Sequence, residues 1–278
     1  MGSLISDSCR KEETTADCQR IPDVLITGKR RFLEMILAKV KKFLLKQMGK
    51  VGMTQYELSL DHALGRCRKR NLRVGTVIDV GASDGRWSLS ARKHFPQASF
   101  FLVEAQDAHA ETLLKLKDAQ PQFDFVISAA GDRNGTIYFD AGDLFGGVAS
   151  DTPLEQNCIT VPVVTIDSQV RERGLTPPFL LKLDTHGFEV PIFEGARETL
   201  KNTALIVVEV YNFQLTGTSL RFHEMCAYLE NLGFRCIDLS EPMHRPGDGA
   251  LWQMDLFFIP ADNGTFTHNI YEWTPDKA

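Results

Sequence analysis

Short apolar runs alternate with amphipathic segments along the chain from residue 76 onward. β-branched and aromatic residues fill the runs, which predicts strands, and apolar positions three and four apart between them predict helices. The predicted strands are residues 76–80, 99–104, 123–128, 179–184, 204–210, 233–239 and 251–259, and the predicted helices are 86–95, 107–118, 189–200 and 218–231. This alternation predicts an α/β fold with a doubly wound, mostly parallel seven-stranded sheet. The last two strands follow each other without a helix, so we expect a terminal antiparallel strand.

An insertion at residues 135–164 separates the third and fourth strands of this series. It contains two further short strand patterns, Thr136–Phe139 and Ile159–Val164, on either side of a polar loop at Leu144–Asn157. Long loops in compact domains are often functional. The loop either folds over a substrate or is a solvated connection, and the sequence leaves both alternatives open.

The region before the main domain at residues 74–278 has a different pattern. Residues 1–28 are polar and lack periodicity, which predicts a disordered tail. Residues 29–73 are a predicted N-terminal helical cap, with an amphipathic helix at Lys29–Met48 and a second helix at Gln55–Lys69. An apolar stripe favours packing on a domain over contact with a membrane or another anionic surface. The pair would cap the ligand site or cover a sheet edge.

The stretch TVIDVGASDG at Thr76–Gly85 predicts a strand, a tight turn and the start of a helix. Open α/β sheets bind their ligands beyond the carboxyl ends of their strands, at turns of this kind. The next strand ends in Glu104, roughly at the separation where an acidic residue meets the ribose hydroxyls of a nucleotide. A nucleoside-type ligand is the first hypothesis.

The composition of this turn narrows the choice of nucleoside. Its glycines, Gly81 and Gly85, have the spacing G-x-x-x-G rather than the G-x-G-x-x-G of dinucleotide sites. The carboxylates of Asp79 and Asp84 would repel a pyrophosphate. S-adenosylmethionine carries a sulfonium and an ammonium, so acidic groups favour it, and the helix start can face its carboxylate. The alternative is an ordinary strand-to-helix turn that uses glycine for its backbone freedom.

Charge and cysteine content exclude several other classes. The chain has 278 residues, a net charge of −5 and a pI near 5.8. We therefore expect no nucleic-acid partner, although basic residues concentrate at Lys29–Lys50 and Arg66–Arg73. The six cysteines form no C-x-x-C pair, which favours reduced thiols in a cytoplasmic protein. No apolar run reaches the ~18 residues of a membrane span, and the myristoylation pattern MGSLIS at Gly2 is short enough to occur by chance.

Ionisable residues gather at the ends of the fourth and fifth strands. They lie in the segments Leu180–Glu189 and Val207–Asn212, whose ends we expect at one rim of the sheet. The residues are Lys182, Asp184, His186, Glu189, Glu209 and Asn212. Buried charges are costly, so such residues need a partner or a task. Glu189 suits a helix start and Asp167 a helix cap, which are structural roles. Aromatic residues that could line an acceptor pocket, or belong to the core, are Trp87, Phe145, Tyr211, Phe213 and Trp252.

Five motifs occur in a fixed order within about residues 77–210. They are VIDVGASDG, Glu104, AAGDRNG at Ala129–Gly135, VPVVTID at Val161–Asp167 and LKLDTHGFEVPIFEGA at Leu181–Ala196. Together they resemble the FkbM-type S-adenosylmethionine-dependent methyltransferase family. That family usually has K-[IL]-D-[VT]-E-G-x-E after the fourth strand, whereas this sequence has His186 where glutamate is common.

The resemblance implies the class I methyltransferase fold, which is Rossmann-like, with S-adenosyl-L-methionine as cofactor. It implies that the methionine part is held by Asp79, Gly81, Ala82, Asp84 and Gly85. It further implies that Glu104 binds the ribose, that Ser128 and Ala129 flank the adenine, and that Asp184 lies at the methyl-transfer centre.

Two mechanisms fit the residues of the rim, because a hydroxyl acceptor must lose its proton during transfer. In the first, His186 is the general base and Asp184 orients it. In the second, Asp184, Glu209 and Asn212 supply oxygen ligands to Mg²⁺. The alternatives without a catalytic role are that His186 is a turn residue hydrogen-bonded to the backbone, and that Lys182 forms a salt bridge with Asp184 or Glu209.

The sequence therefore predicts an S-adenosylmethionine-dependent O-methyltransferase that acts on a hydroxyl of a small molecule, such as a sugar or a secondary-metabolite scaffold. The O-methyl assignment rests on the family resemblance. The main alternative is a catalytically inactive S-adenosylmethionine-binding or regulatory protein, and a third is an NAD-dependent oxidoreductase, which the glycine spacing disfavours. A homo-oligomer is compatible with this interpretation.

Overall fold

The computed structural model describes residues 57–271. The predicted tail at 1–28, the predicted helix Lys29–Met48 and the Gly2 pattern lie outside the described residues. The helices are α1 (Leu60–Lys69), α2 (Arg86–His94), α3 (Ala110–Ala119), α4 (Ile166–Arg173), α5 (Glu189–Glu194), α6 (Arg197–Leu200) and α7 (Phe222–Asn231), and 3-10 turns occur at Asp107–His109 and Gly264–Thr267. The strands are β1 (Thr76–Val80), β2 (Ser99–Glu104), β3 (Phe123–Ile127), β4 (Ala129–Ala130), β5 (Gly135–Asp140), β6 (Val148–Ser150), β7 (Cys158–Val164), β8 (Phe179–Leu183), β9 (Thr203–Tyr211), β10 (Phe234–His244) and β11 (Leu251–Pro260).

Seven strands form one sheet in the order β10-β11-β9-β8-β1-β2-β3. Neighbours pair in parallel except at β11, which runs antiparallel to both β9 and β10. The predicted fold class, including the terminal antiparallel strand, is therefore confirmed. The chain leaves β1 toward β2 and β3 and later returns to β8 on the other side of β1. This change of direction places the topological switch point between β1 and β8, where open sheets bind ligands.

The sheet is covered on both faces because alternate side chains of its buried strands point to opposite sides. On one face, Val77 of β1 belongs to a core that includes buried residues of α1, α2 and α3. On the other face, Ile78 belongs to a core with residues of α4, α5 and α7. All five residues of β1 are buried, so the turn that follows β1 begins from a fixed position in the middle of the domain.

The three strands of the insertion and the preceding β4 form a second, four-stranded sheet in the order β4-β7-β5-β6. Its side chains Ile137, Phe139, Val161 and Val163 are buried in the core on the α5 side of the main sheet. The two strands predicted here are present, and the predicted loop contains β6. Strand β6 was missed because three residues are too few for a period-two pattern to stand out.

The predicted helix at residues 189–200 is interrupted in the structure. It consists of α5 and α6, and Gly195 and Ala196 lie between them. Asp167 is a helix cap, as predicted, but it caps α6 rather than its own helix: its carboxylate accepts hydrogen bonds from the backbone N–H groups of Glu198 and Thr199 at 2.9 and 2.8 Å. The N-cap of α4 is Thr165.

Helix α1 is the described part of the predicted N-terminal helical cap. Its residues Ala63, Leu64 and Cys67 are buried in the core beneath the sheet. The Arg66 guanidinium donates to both carboxylate oxygens of Asp238 on β10, at 2.7 and 2.8 Å. The helix therefore covers the sheet next to its edge strand, one of the two predicted positions.

Two further properties follow from the described residues. Over residues 57–271, no helix has the length and apolar content needed to cross a membrane. The four cysteines in this range are free thiols, at Cys67, Cys158, Cys226 and Cys236.

Candidate active site

A cavity of about 210 Å³ lies at the carboxyl ends of β1, β2 and β8, at the switch point of the sheet. The small sheet of the insertion contributes Phe139, Gly147 and Ala149 to its wall. The predicted site residues that line the cavity are Gly81, Ala82, Glu104, Ser128, Ala129, Asp184 and His186. The cavity thus brings together most of the cofactor and rim residues that the sequence indicated.

The turn after β1 forms the floor of this cavity. Gly81 has a backbone φ of +73°, and a Cβ there would lie 2.0 Å from the carbonyl oxygen of Asp184. Glycine is therefore required both for the left-handed conformation and for the close approach of the two strand ends. Ser83 follows with a φ of +51°, and its backbone N–H donates to Glu104 Oε2 at 2.7 Å.

Glu104 is held rigidly at the end of β2. Its side chain is almost fully buried, and its second oxygen, Oε1, accepts the backbone N–H of Gln106 at 2.8 Å. Each carboxylate oxygen has a further lone pair, so the group can accept hydrogen bonds from a ligand. Ser83 also lines the cavity, and its hydroxyl oxygen is buried without a hydrogen-bond partner among the described residues. A buried polar atom left unpaired beside a fixed carboxylate fits a polar ligand such as a nucleoside.

The other two carboxylates of the turn do not line the cavity. Asp79 is fully buried, with Lys182 Nζ at 2.9 Å from Oδ1 and the Ser88 hydroxyl donating to Oδ2 at 2.7 Å. Asp84 forms an ion pair with Arg86 at 2.6 Å, and hydrogen bonds from Arg86 hold its pKa below the ordinary value. Neither Asp79 nor Asp84 therefore presents a free charge to a ligand, in contrast to the prediction, because a nearby cation neutralises each of them. The carboxylates that line the cavity are those of Glu104 and Asp184.

Gly85 also lies outside the cavity wall. It has a φ of +81°, and a Cβ there would contact the Leu116 side chain at 2.6 Å. Its role in the structure is to begin α2 and to allow α3 to pack closely. Ser128 lines the cavity, and its hydroxyl donates to backbone carbonyl oxygens, including that of Pro162 at 2.9 Å.

Lys182 lies beneath the cavity and joins β1 to β8. Its ammonium contacts Asp79 at 2.9 Å and Asp184 at 3.5 Å, and it donates to the Gly81 carbonyl at 2.9 Å. Burial alone would lower the pKa of Lys182, but the two carboxylates outweigh burial and raise it. The predicted salt bridge to Asp184 is present, and Lys182 is a charged structural residue.

Asp184, His186 and Glu209 come together at one side of the cavity. His186 Nε2 lies 3.5 Å from Asp184 Oδ1 and 3.7 Å from Glu209 Oε2. The backbone of His186 has a φ of +53°, which is uncommon for a residue other than glycine. Backbone strain of this kind is concentrated at functional sites, so the turn fixes the imidazole close to the two carboxyl groups at an energetic cost.

The two carboxyl groups of this cluster differ in protonation. Burial tends to raise the pKa of Asp184, but the charges of Lys182 and His186 outweigh it, and the pKa is lowered. Burial and the negative charge of Asp184 raise the pKa of Glu209 to about 9. Asp184 is therefore the ionised member of the pair, and Glu209 keeps its proton. The Tyr211 hydroxyl and the Gln253 amide donate to the two oxygens of Glu209.

The orientation of His186 differs from the predicted one. Its Nδ1 lies 3.3 Å from the carbonyl oxygen of Gly147. A carbonyl oxygen can only accept, so Nδ1 carries the proton and, in the neutral ring, Nε2 has the free lone pair. Asp184 faces this free nitrogen rather than Nδ1, so the orienting group is the Gly147 carbonyl. Asp184 is instead placed to stabilise the imidazolium that forms when Nε2 takes up a proton.

The geometry gives no support to the Mg²⁺ hypothesis, which takes its ligands from Asp184, Glu209 and Asn212. Among the described residues, the ligand atoms that lie within 4.8 Å of one another belong to Asp184, His186 and Glu209, one atom each. Mg²⁺ prefers oxygen ligands in near-octahedral geometry, and one of these three atoms is an imidazole nitrogen. The cation already next to Asp184 is Lys182. The Asn212 N–H continues the pairing of β9 by donating to Trp252.

The aromatic residues divide into two groups. Trp87 and Phe145 line the cavity. Tyr211, Phe213 and Trp252 form an adjoining stack, in which the Trp252 ring lies 5.7 Å from Tyr211 and 5.4 Å from Phe213. This second group makes the end of the β9 and β11 pair rigid behind His186.

The sequence did not reveal that Gln106 belongs to the site. Its side-chain amide lines the cavity and donates to the carbonyl oxygens of Asp143 and Leu144, both at 3.0 Å. The signal that could have drawn attention to it is its position two residues after Glu104, at the end of β2. Glu189, assigned a structural role, is buried and accepts the Gly187 N–H at 2.9 Å.

Comparison with known protein families gives one match that spans the site. The model of the methyltransferase FkbM domain matches residues 79–236. The chain belongs to the FkbM methyltransferase family. The matched range contains the turn after β1, Glu104 and the Asp184, His186 and Glu209 cluster, so the cavity belongs to the methyltransferase domain. The resemblance predicted from the motifs is confirmed, and a search of curated proteins finds no match.

This FkbM methyltransferase also resembles solved structures, but at low sequence identity. An FkbM methyltransferase from Methylobacillus flagellatus is 13% identical over 66% of this chain and 43% of its own, with a TM-score of 0.44. A Burkholderia thailandensis 1,6-didemethyltoxoflavin-N1-methyltransferase is 12% identical over 82% of this chain and 90% of its own, with a TM-score of 0.42. A putative RNA methyltransferase from Pyrococcus horikoshii is 11% identical over 71% of this chain and 81% of its own, with a TM-score of 0.41. The family assignment rests on the domain match, and the chain spans less than half of the M. flagellatus protein.

Proposed function

We propose that this FkbM methyltransferase uses S-adenosyl-L-methionine to methylate a hydroxyl group of a small molecule, such as a sugar or a secondary-metabolite scaffold. The observation that carries the proposal is the position of the free Nε2 of His186. His186 lines the same cavity as Glu104, and its Nε2 lies beside the ionised Asp184. A general base next to a nucleoside site is what a hydroxyl acceptor needs.

The cofactor would be held by residues of the β1 and β2 ends. Glu104 would accept hydrogen bonds from the ribose hydroxyls, and the unpaired Ser83 hydroxyl would meet a polar group of the methionine part. Ala129, at the opposite wall, would contact the adenine. When bound, S-adenosyl-L-methionine supplies an electrophilic methyl group, so the protein's main tasks are alignment of the acceptor and removal of its proton.

His186 would perform the proton removal. Nε2 accepts the hydroxyl proton, while Nδ1–H keeps its hydrogen bond to the Gly147 carbonyl. The resulting imidazolium lies 3.5 Å from the Asp184 carboxylate, which stabilises the positive charge. Asp184 remains ionised because Lys182 is next to it. Base catalysis of this kind typically contributes about a hundredfold to ten-thousandfold in rate.

A small acceptor is supported by the insertion, whose residues Leu144 and Phe145 lie at the wall of the cavity. The chain has a net charge of −5, which does not attract a nucleic-acid backbone. Cytoplasmic localisation is part of the same proposal, as is the absence of membrane contact.

Transfer of a labelled methyl group from S-adenosyl-L-methionine to a panel of sugars and hydroxylated aromatic compounds tests the proposal. We expect transfer that resists a chelator, and a loss of at least a hundredfold in His186→Asn. The matched control is His223→Asn, an exposed histidine of α7 that should retain activity. Activity that requires a divalent cation would contradict the base mechanism. Cofactor binding without transfer to any hydroxyl would favour the inactive binding protein.

A further inference from the structure

A seven-residue segment of the insertion, Ala141–Gly147, connects β5 to β6 and crosses the cavity. We call it the cover loop. Its first half is attached at the end of β2 by three hydrogen bonds: the Gln106 amide donates to Asp143 O and to Leu144 O, each at 3.0 Å, and His109 Nε2 donates to Leu144 O at 2.9 Å. The two donor side chains, Gln106 and His109, lie outside the loop, so the loop conformation depends on residues that follow β2.

Phe145 adds an aromatic contact to the same half of the cover loop. The Arg86 guanidinium lies 5.0 Å from the centre of its ring, and the His109 ring lies 5.7 Å from it. Even so, 54% of Phe145 is exposed. Packing of Phe145 alone therefore does not account for the position of the loop, and the hydrogen bonds to its carbonyl groups contribute to the attachment.

The second half of the cover loop ends next to His186. Gly147 O accepts the Nδ1–H of His186 at 3.3 Å. A Cβ at Gly147 would lie 2.4 Å from two ring atoms of the buried Phe139. The loop can therefore bring its carbonyl to His186 only because residue 147 lacks a side chain.

We propose that Gln106 is a positioning residue for the base: it acts through the cover loop to hold the Gly147 carbonyl on Nδ1 of His186, which keeps Nε2 unprotonated toward the acceptor. The catalytic meaning of this inference rests on the proposed function. The physical link does not, because the hydrogen bond made by one imidazole nitrogen decides which nitrogen carries the proton.

The link is needed because the surroundings of Nε2 favour the other tautomer. Two carboxyl groups lie within 3.7 Å of that nitrogen, and an ionised carboxylate attracts an N–H donor. Without the Gly147 carbonyl, the neutral ring would place its proton on Nε2 and donate to Asp184. That tautomer cannot accept a proton from a hydroxyl at the reacting position.

Nitrogen-15 NMR of the histidine side chains tests the link without cofactor or acceptor. The His186 signal is assigned by its absence from His186→Asn. We expect Nδ1–H to predominate in the wild type and Nε2–H to predominate in Gln106→Leu. The matched control, Gln120→Leu, removes a glutamine that follows α3 and bonds Arg92, and it should keep the wild-type spectrum. Gly147→Ala tests the other end of the loop and should give the same change as Gln106→Leu.

Kinetics provide the second measurement if the enzyme transfers methyl groups. We expect kcat to fall about tenfold to a hundredfold in Gln106→Leu, since a displaced base loses alignment. An unchanged His186 tautomer in Gln106→Leu would overturn the inference whatever Gly147→Ala shows, as would an equal change in the Gln120→Leu control. Failure of the proposed function would appear differently, as absence of cofactor binding or of transfer in the wild type.

Discussion

At the scale of single residues, the role of an acidic side chain depends more on the group it pairs with than on its position in a motif. Asp79, Asp84 and Glu104 are all acidic and all lie near the end of β1 or β2. Asp79 is neutralised by Lys182 and Asp84 by Arg86, whereas the partners of Glu104 are two backbone N–H groups. Of these three, only Glu104 therefore presents its negative charge to the cavity.

The protonation of Glu209 leads to a prediction about stability and pH. The folded protein holds this proton up to about pH 9, whereas an ordinary glutamate loses it near 4.5. Between these values the folded state binds more protons than the unfolded state, so Glu209 makes the free energy of unfolding fall as pH rises. Glutamine does not titrate, so Glu209→Gln should gain stability relative to the wild type between about pH 5 and pH 8.5.

Urea unfolding of both proteins across that range measures this effect. The control is Glu230→Gln, on the exposed side of α7, which should leave the pH dependence of the wild type unchanged. Parallel stability curves for wild type and Glu209→Gln would show that Glu209 is ionised in the folded protein.

At the scale of secondary-structure elements, helix α1 is attached to the domain by its apolar side and by polar contacts that include the ion pair of Arg66 and Asp238. Arg66 and Asp238 are 32% and 13% exposed at their side chains, and they make two hydrogen bonds. We expect Arg66→Ala to reduce the free energy of unfolding by about 2 kcal/mol, since hydrogen bonds to charged, partly buried groups are stronger than average.

The exposed pair of Lys115 and Glu111 provides the matched control for that prediction. Its side chains are 73% and 80% exposed, and exposed pairs contribute little. Lys115→Ala should change stability by less than about 0.5 kcal/mol, measured by urea unfolding of the full chain. Equal losses in the two variants would contradict the account of how α1 is attached.

The elements of the main sheet could be predicted from the sequence, and the contacts of the insertion could not. The β1 and β2 strands match their predicted bounds because their residues are almost all buried and form continuous apolar runs. The contact between Gln106 and Leu144 joins residues 38 positions apart through a backbone carbonyl. A backbone carbonyl carries no sequence signal, so neither that contact nor the one between His186 and Gly147 was predictable.

At the scale of the whole molecule, the reversal of strand order between β1 and β8 makes the cavity. It places the turn after β1 against the end of β8, where Gly81 approaches Asp184. Residues far apart in the sequence thereby form one site, with a fixed carboxylate at the end of β2 and a histidine after β8. The topology explains why the FkbM match spans residues 79–236, which include both ends of the cavity.

Calorimetric titration with S-adenosylhomocysteine, on the wild type and on Glu104→Ala, tests whether the cavity binds the cofactor through Glu104. We expect binding by the wild type and an affinity at least about tenfold lower in Glu104→Ala, because hydrogen bonds to a charged group contribute about 1.5–3 kcal/mol. NADH should not bind, since the turn after β1 has the glycine spacing G-x-x-x-G rather than the G-x-G-x-x-G of dinucleotide sites. Equal affinities of the two proteins for S-adenosylhomocysteine, or tight binding of NADH by the wild type, would contradict the assignment of the cavity.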